Sequence, residues 1–315
     1  MSTPTNREPS GQPVVSTTVL MLIPMLIWST VFPLSKLLLA VLPAATMAAV
    51  RFLIGGLCLL LYASWSLGWP TVGRSLRKHW LDYVLLGLTG IFLNNLLQNM
   101  GLRLAAATST SLLGASGPIF STLLAALFLG EVLTKRKLFG LGVAVAGIYL
   151  VTTNGRLVMD WQSQGNLLAV ASSVSYSVYT IMSKRSLEQI EPLLVVTWST
   201  LLGGVMLLAT ALVSDGSTAW SSISWGLWLN LFYLSTIPTS VAVVAYFDLL
   251  KRVQASQAAS AFFLVPVFAT IWAVGFLGET LSWAMLVGGC LIIAGVWFTM
   301  SRDIGQSPKS KVHGV

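Results

Sequence analysis

The chain has 315 residues, 55% of them hydrophobic and only 9% charged, with a net charge of +8. Soluble domains devote about a quarter of their residues to Asp, Glu, Lys and Arg, so this composition excludes a water-facing surface and calls for one that faces lipid. Cys58 and Cys290 sit in apolar stretches, and the two histidines are His79 and His313. They supply no ligand set for zinc, haem or iron–sulfur, so no cofactor or metal is expected.

Residues 1–17 form a polar tail without the apolar core of a secretory signal. Apolar runs near the ~20 residues needed to cross a hydrocarbon core follow at 18–39, 44–66, 82–101, 105–129, 135–153, 165–184, 192–213, 225–247, 255–277 and 281–301. The longest breaks are near 67–81, 154–164 and 214–224, and residues 302–315 form a second polar tail. No segment is long and polar enough to make a separate soluble domain.

Placing the amino terminus inside sorts the positive charges. Arg7, Arg74, Arg77, Lys78, Lys135, Arg136, Lys137, Lys184, Arg185, Lys251, Arg252, Arg302, Lys309 and Lys311 then fall in the cytoplasm. Only Arg103 and Arg156 fall outside, with Lys36 and Arg51 in or near spans. Cytoplasmic loops of membrane proteins carry this excess, so topology accounts for the basic charge and no nucleic-acid partner is implied. Both termini are expected in the cytoplasm.

The sequence repeats itself. Phe128-Leu129-Gly130-Glu131 recurs as Phe276-Leu277-Gly278-Glu279, an offset of 148 residues. At that offset Lys36 meets Lys184, Pro118 meets Pro266, Thr122 meets Thr270, Gly140 meets Gly288, and Ala146-Gly147 meets Ala294-Gly295. The ends of spans one and six also correspond, Trp28-Ser29 through Ser35-Lys36 against Tyr176-Ser177 through Ser183-Lys184. The predicted fold is an all-α integral membrane protein of ten transmembrane helices, built from five-helix units at 18–153 and 165–301. A copy that follows an odd number of crossings must be inserted upside down. Inverted repeats build many secondary transporters, with the substrate site near the midplane; a duplication that serves stability alone is the competing reading.

Several motifs are shared with a known family: Gly101-Leu102-Arg103 through Ala107-Thr108-Ser109, Pro118, both Leu-Gly-Glu turns, and Arg51-Phe52 in span two. On these the chain resembles the EamA family of the drug/metabolite transporter superfamily, over essentially all of residues 18–301. The resemblance implies ten helices around a central cavity and export of amino acids or related metabolites. It does not name the solute.

Polar residues inside spans mark the candidate site, because polar groups in lipid are costly and face the bundle or a wet cavity. Asn94, Asn95, Gln98 and Asn99 share one face of span three, where they either line a cavity or bond neighbouring helices. Ser172, Tyr176, Tyr179 and Ser183 form a stripe on span six, with Pro24, Trp28, Val31 and Ser35 as its counterpart in span one. Aromatic rings with polar tips suit an amphipathic solute, and equally suit packing between helices. Trp198 and Tyr246 are weaker candidates. Pro118 and Pro266 interrupt spans four and nine at matching positions, which points to a binding site or to ordinary kinks; Ser111 and its small neighbours favour the first reading for span four. Arg51 is read two ways, as a partner for a substrate carboxylate or as a structural cation. Lys36 is expected to snorkel to the outer interface, and Glu131 and Glu279 to sit at the amino-terminal ends of the helices that follow them.

No carboxylate lies in the middle of a span, which argues against a proton-coupled exporter of organic cations and favours neutral or zwitterionic solutes. Paired carboxylates, an embedded zinc spacing and a Ser/His dyad are all missing, so an enzyme is not expected. The expected function is a secondary transporter in a bacterial cell membrane that exports a small polar metabolite, its partners being that solute and membrane lipids. A lipid translocase or a non-transporting membrane subunit is the alternative. The pattern Gly140-Leu141-Gly142 through Gly147 permits close helix contact, within one chain or in a homodimer.

Overall fold

A computed structural model describes residues 17–130, 132–156, 161–216, 220, 223–246, 262 and 264–300. Among these residues every regular element is a helix. The first predicted span is two helices, α1 (Thr17–Ser29) and α2 (Val31–Leu39). Pro33 offers no N–H to the Ser29 carbonyl, and the chain breaks there. The hydroxyls of Ser29 and Thr30 turn back onto the carbonyls of Leu26 and Ile27, each at 2.7 Å. α3 (Ala44–Leu67) follows Pro43. Its amino-terminal end is held by Asp215, whose Oδ2 accepts from the Thr46 amide at 2.7 Å and the Thr46 hydroxyl at 2.8 Å.

The break expected at 67–81 is instead helical. α4 (Trp69–Leu86) kinks at His79, then runs through a π-helix (Gly87–Leu93) into α5 (Asn94–Leu104). Val72, Leu76 and Tyr83 recur at helical spacing and pack into one apolar cluster, while Trp69 and Trp80 stay exposed. Such an amphipathic pattern supports a helix although its composition is too polar for a span.

The fourth predicted span divides into α6 (Ala107–Gly114) and α7 (Gly117–Leu129), with Pro118 in the first turn of the second piece. Proline is tolerated there because the first-turn N–H groups have no helical partner. α8 (Lys135–Thr153), α9 (Trp161–Ser186) and α10 (Pro192–Ser214) are continuous. α11 (Trp225–Thr236) passes into a second π-helix (Ile237–Val241) and stays helical to Tyr246. α12 (Leu264–Leu277) and α13 (Trp283–Met300) complete the described chain. Pro266 stands in the first turn of α12; residues 247–261 and 263 before it, and Glu131, lie outside the described residues. Among the described residues seven helices are long and apolar enough to cross a membrane, α12 and α13 are shorter apolar helices, and the Ser- and Tyr-rich α9 is long but more polar.

The repeat is visible in the packing. α3 and α10 are equivalent helices, and each carries a Gly-Gly pair, Gly55-Gly56 and Gly203-Gly204. A Cβ on Gly56 would stand 2.8 Å from Leu201, and one on Gly204 would stand 3.2 Å from Leu53. Leu53 and Leu201 are themselves equivalent, so the two helices cross antiparallel and exchange the same contact. Likewise Gly140 packs on Gly295 and Gly147 on Gly288 where α8 crosses α13. Reciprocal contacts between equivalent positions are the mark of a two-fold relation. The glycine ridge of α8 is therefore spent within the chain, apart from the exposed Gly142.

Candidate functional site

The two π-helices occupy corresponding positions of the two repeats, Gly90 of the first matching Pro238 of the second at the 148-residue offset. π-helical turns leave carbonyls outside the regular ladder and concentrate at functional sites. Donors from the helices that open each repeat reach them. Ser175 of α9 donates to the Thr89 carbonyl at 2.7 Å, and the Trp28 indole of α1 donates to the Pro238 carbonyl at 2.9 Å. The Tyr179 ring lies against Gly90, where a Cβ would collide with it.

Trp28 is the hub of an aromatic group. Its ring stacks on Phe262 at 5.3 Å and 13°, and meets Tyr246 edge-on at 5.4 Å. Tyr246 and Phe262 pack edge to face at 5.3 Å. Tyr176 and Tyr179 form a second pair at 5.5 Å, and Tyr176 is within electrostatic range of Tyr246. The Tyr179 hydroxyl lies beside those of Ser183 and Ser199. Tyr176 is 46% accessible despite this crowding. Three helical segments and Phe262, drawn from both repeats, thus contribute one aromatic wall, and Phe262 and Tyr246 belong to it more firmly than their sequence positions suggest.

The amides of α5 divide. Asn94 donates to the Ser172 carbonyl of α9 and Asn95 to the Ile91 carbonyl of the π-helix, both at 2.9 Å. The first ties α5 to α9, and the second bonds back one turn within its own continuous helix. Asn99 is buried, and its Nδ2 has no hydrogen-bond partner among the described residues; Gln98 is half-buried beside it on the same face. Ser111 is buried and bonds the Thr108 carbonyl in its own helix. Trp198 and Tyr179 both pack on the apolar cluster that contains Tyr83 and Leu86. Pro118 and Pro266 stand in the first turns of α7 and α12. Arg51 is 7% exposed, donates from Nε to the Thr239 hydroxyl at 3.2 Å, and lies 4.9 Å over the Phe52 ring.

These features are those of a duplicated membrane bundle with its polar and aromatic residues gathered between the halves. A family model described as the EamA-like transporter family matches the chain twice, over residues 15–153 and 163–301. The chain belongs to the EamA-like transporter family. It is a multi-pass cell-membrane protein of a family of transporters. An uncharacterized transporter of Bacillus subtilis, YvbV, is 27% identical over 297 residues, covering 93% of this EamA chain and 94% of its own length. A probable terminal-alkyne amino-acid exporter of Streptantibioticus cattleyicolor is 29% identical over 290 residues, covering 91% and 94%. A crystal structure of a protein at 24% identity aligns with a TM-score of 0.63 over 90% of this chain and 95% of that one, which establishes a shared fold.

One end of the EamA bundle is tied across its halves by groups whose roles differ from those expected. Glu279, in the α12–α13 turn, does not cap the helix that follows it; Ser282 does, accepting from the Met285 amide at 3.2 Å. The Glu279 carboxylate instead accepts from the amides of Ala107 at 2.6 Å and Thr108 at 3.0 Å, at the start of α6. Lys36 does not snorkel. Its ammonium donates to the carbonyls of Leu102, at 3.1 Å, and Ala105, closing the end of α5, and it is within electrostatic range of Glu279. Anionic caps at helix starts and cationic caps at helix ends both follow the helix dipole. Asn166 was not singled out in the sequence, yet it is fully buried. It accepts from the Ser109 hydroxyl at 2.8 Å and donates to the carbonyls of Val151 at 3.2 Å and Thr152 at 3.1 Å. A lone Asn at the start of a polar helix carries no periodic signal that would have revealed it.

Proposed function

We propose that this EamA protein crosses the membrane ten times with both termini in the cytoplasm, and exports a small zwitterionic metabolite of the amino-acid class by alternating access. The observation that carries the reading is the aromatic wall of Trp28, Tyr246, Phe262, Tyr176 and Tyr179, assembled from both repeats beside two π-helices. A site built at the seam between halves is remade when one half rocks against the other. Rings with hydroxyl or indole tips offer apolar area together with directional bonds, and Gln98 and Asn99 add amide groups nearby. The distribution of Lys and Arg supports the orientation. α9, α12 and α13, added to the seven long apolar helices, supply the ten crossings. The relative from Streptantibioticus cattleyicolor that is a probable amino-acid exporter supports both the solute class and the direction.

The test is counterflow in proteoliposomes. Vesicles loaded with each of the common amino acids in turn are diluted into a trace of the same labelled amino acid. Transient accumulation above equilibrium is expected for a subset with apolar side chains, and Tyr176→Ala is expected to abolish it. Accumulation with none of them would remove the amino-acid assignment, and full activity in Tyr176→Ala would move the site elsewhere.

A further inference from the structure

Arg51 is a cation buried in the seam between repeats, and no acidic side chain pairs with it among the described residues. Removing a charge from water costs several kcal/mol in a real protein unless a counter-charge compensates it. Here Nε is used by the Thr239 hydroxyl and one face of the guanidinium lies over Phe52. Neither neighbour carries a negative charge.

Packing does not require the cation. In the equivalent helix α10 the matching position is Ser199, also buried, whose hydroxyl bonds its own helix at Val196. The surroundings of the two positions otherwise correspond. Gly55 packs on Ser235 and Thr239, while Gly203 packs on Gly87 and Ile91. These are the same two positions of the opposite repeat. A role confined to the helix crossing would be served by serine in both halves. The arginine is a departure from the symmetry, in one half only.

Its location links it to the aromatic wall. Arg51 bonds Thr239, and the Trp28 indole bonds Pro238, the adjacent residue of the second π-helix. Ser240, the next residue, ties the same turn to α3 by donating to the Gly55 carbonyl at 2.9 Å. One irregular turn therefore positions both the guanidinium and the hub of the aromatic group.

We infer that Arg51 is the subsite for the carboxylate of the transported solute. This rests on the transport reading above and names the part of the solute that the site selects. A guanidinium offers a planar pair of N–H groups that matches a carboxylate in two parallel hydrogen bonds. The solute supplies the missing counter-charge on arrival, and its departure restores the unpaired cation. The ammonium end of a zwitterion then falls towards the rings of Trp28, Tyr246 and Phe262, whose faces attract cations. The class selected is carboxylates, amino acids among them, over their amide or decarboxylated counterparts.

The test uses the intact wild-type protein in detergent, so it does not depend on a variant that folds. Arginines are modified with methylglyoxal and followed by peptide mass spectrometry, with exposed Arg74 as the internal standard. Benzoate, benzamide, each common amino acid and its decarboxylated amine serve as protectants. Arg51 is expected to react, and benzoate titrated to saturation is expected to slow that reaction. Mass action makes the slowing about tenfold at ten times the dissociation constant. Benzamide and the amines are expected to leave the rate unchanged, as is every protectant at Arg74. No reaction at Arg51 while Arg74 is consumed would mean a sealed structural cation and would overturn the proposal. Equal protection by benzamide, or none by any carboxylate, would overturn it as well. Protection by benzoate but by no amino acid would uphold the carboxylate subsite and reject the amino-acid reading on which it was built.

Discussion

Substituting Glu279 by Gln tests the tie across the end of the bundle. In the present conformation its two carboxylate oxygens accept one amide each, from Ala107 and Thr108, at the positive start of α6. A glutamine keeps one acceptor oxygen and presents an NH₂ group to the second amide, so one hydrogen bond and the full charge are lost. Loss of an N-cap costs about 0.5–2 kcal/mol, and charge at a helix start contributes about 0.3–1 kcal/mol. Glu279 is only half-buried, so we take about 1–2 kcal/mol in all, which corresponds to a factor of about 5–30 in a conformational equilibrium. If rocking separates the α12–α13 turn from the α5–α6 turn, this shift appears as a larger open population. Spin labels at the exposed Leu104 and Leu281, in nanodiscs, report it as a longer distance component in a pulsed dipolar measurement. Lys36→Met is expected to act in the same direction. A distance distribution unchanged in Glu279→Gln, with the helical content of wild type, would refute the idea that this contact holds the end closed.

Other outcomes follow from the packing and the hydrogen bonds. Gly203→Leu places a side chain where even a Cβ meets Ile91 and the Gly87 carbonyl; overpacking of this kind costs about 1–3 kcal/mol or more, and a clearly lower denaturation midpoint in detergent is expected, whereas Gly142→Leu, with open space around it, should leave the midpoint in place. Asn166→Leu removes the donor to the Val151 and Thr152 carbonyls and one partner of the Ser109 hydroxyl, which keeps its bond to the Ala106 carbonyl; an under-satisfied buried group costs about 1–3 kcal/mol, and a midpoint equal to wild type would contradict the geometry. Trp28→Phe keeps a ring to stack on Phe262 but removes the donor to Pro238, and should lower stability by about 1 kcal/mol while weakening solute retention in the counterflow assay; an unaltered protein on both counts would show that the π-helix needs no such anchor.

Hydrophobic length and charge position carry across to the structure because they are additive along the chain. Lipid exposure acts on each span separately, and so the helices of 44–66, 135–153 and 192–213 appear as α3, α8 and α10 nearly to the residue. The break at Pro118 was legible for the same reason, since a missing N–H acts locally. The helix at Trp69–Leu86 was not, because its apolar residues lie on one side only and the rest is as polar as a loop. Among site residues, the aromatic character of Trp28, Tyr176 and Tyr179 was visible, but a stripe does not say what faces it. Ser172, on the same stripe, is buried and bonded within its own helix.

The repeat offset, read from the sequence, determined that two like units had to fit together, because an identity at fixed spacing survives without any knowledge of contacts. Which groups complete each other was decided only in three dimensions. Glu279 and Ala107 are 172 positions apart, Arg51 and Thr239 188, and Trp28 and Pro238 210. No periodicity links positions so distant. Each pair exists because packing one half on the other brings the opening helix α1 and α3 onto the second π-helix, and the α12–α13 turn onto the start of α6; a hydrogen bond then fixes what the packing has placed in reach.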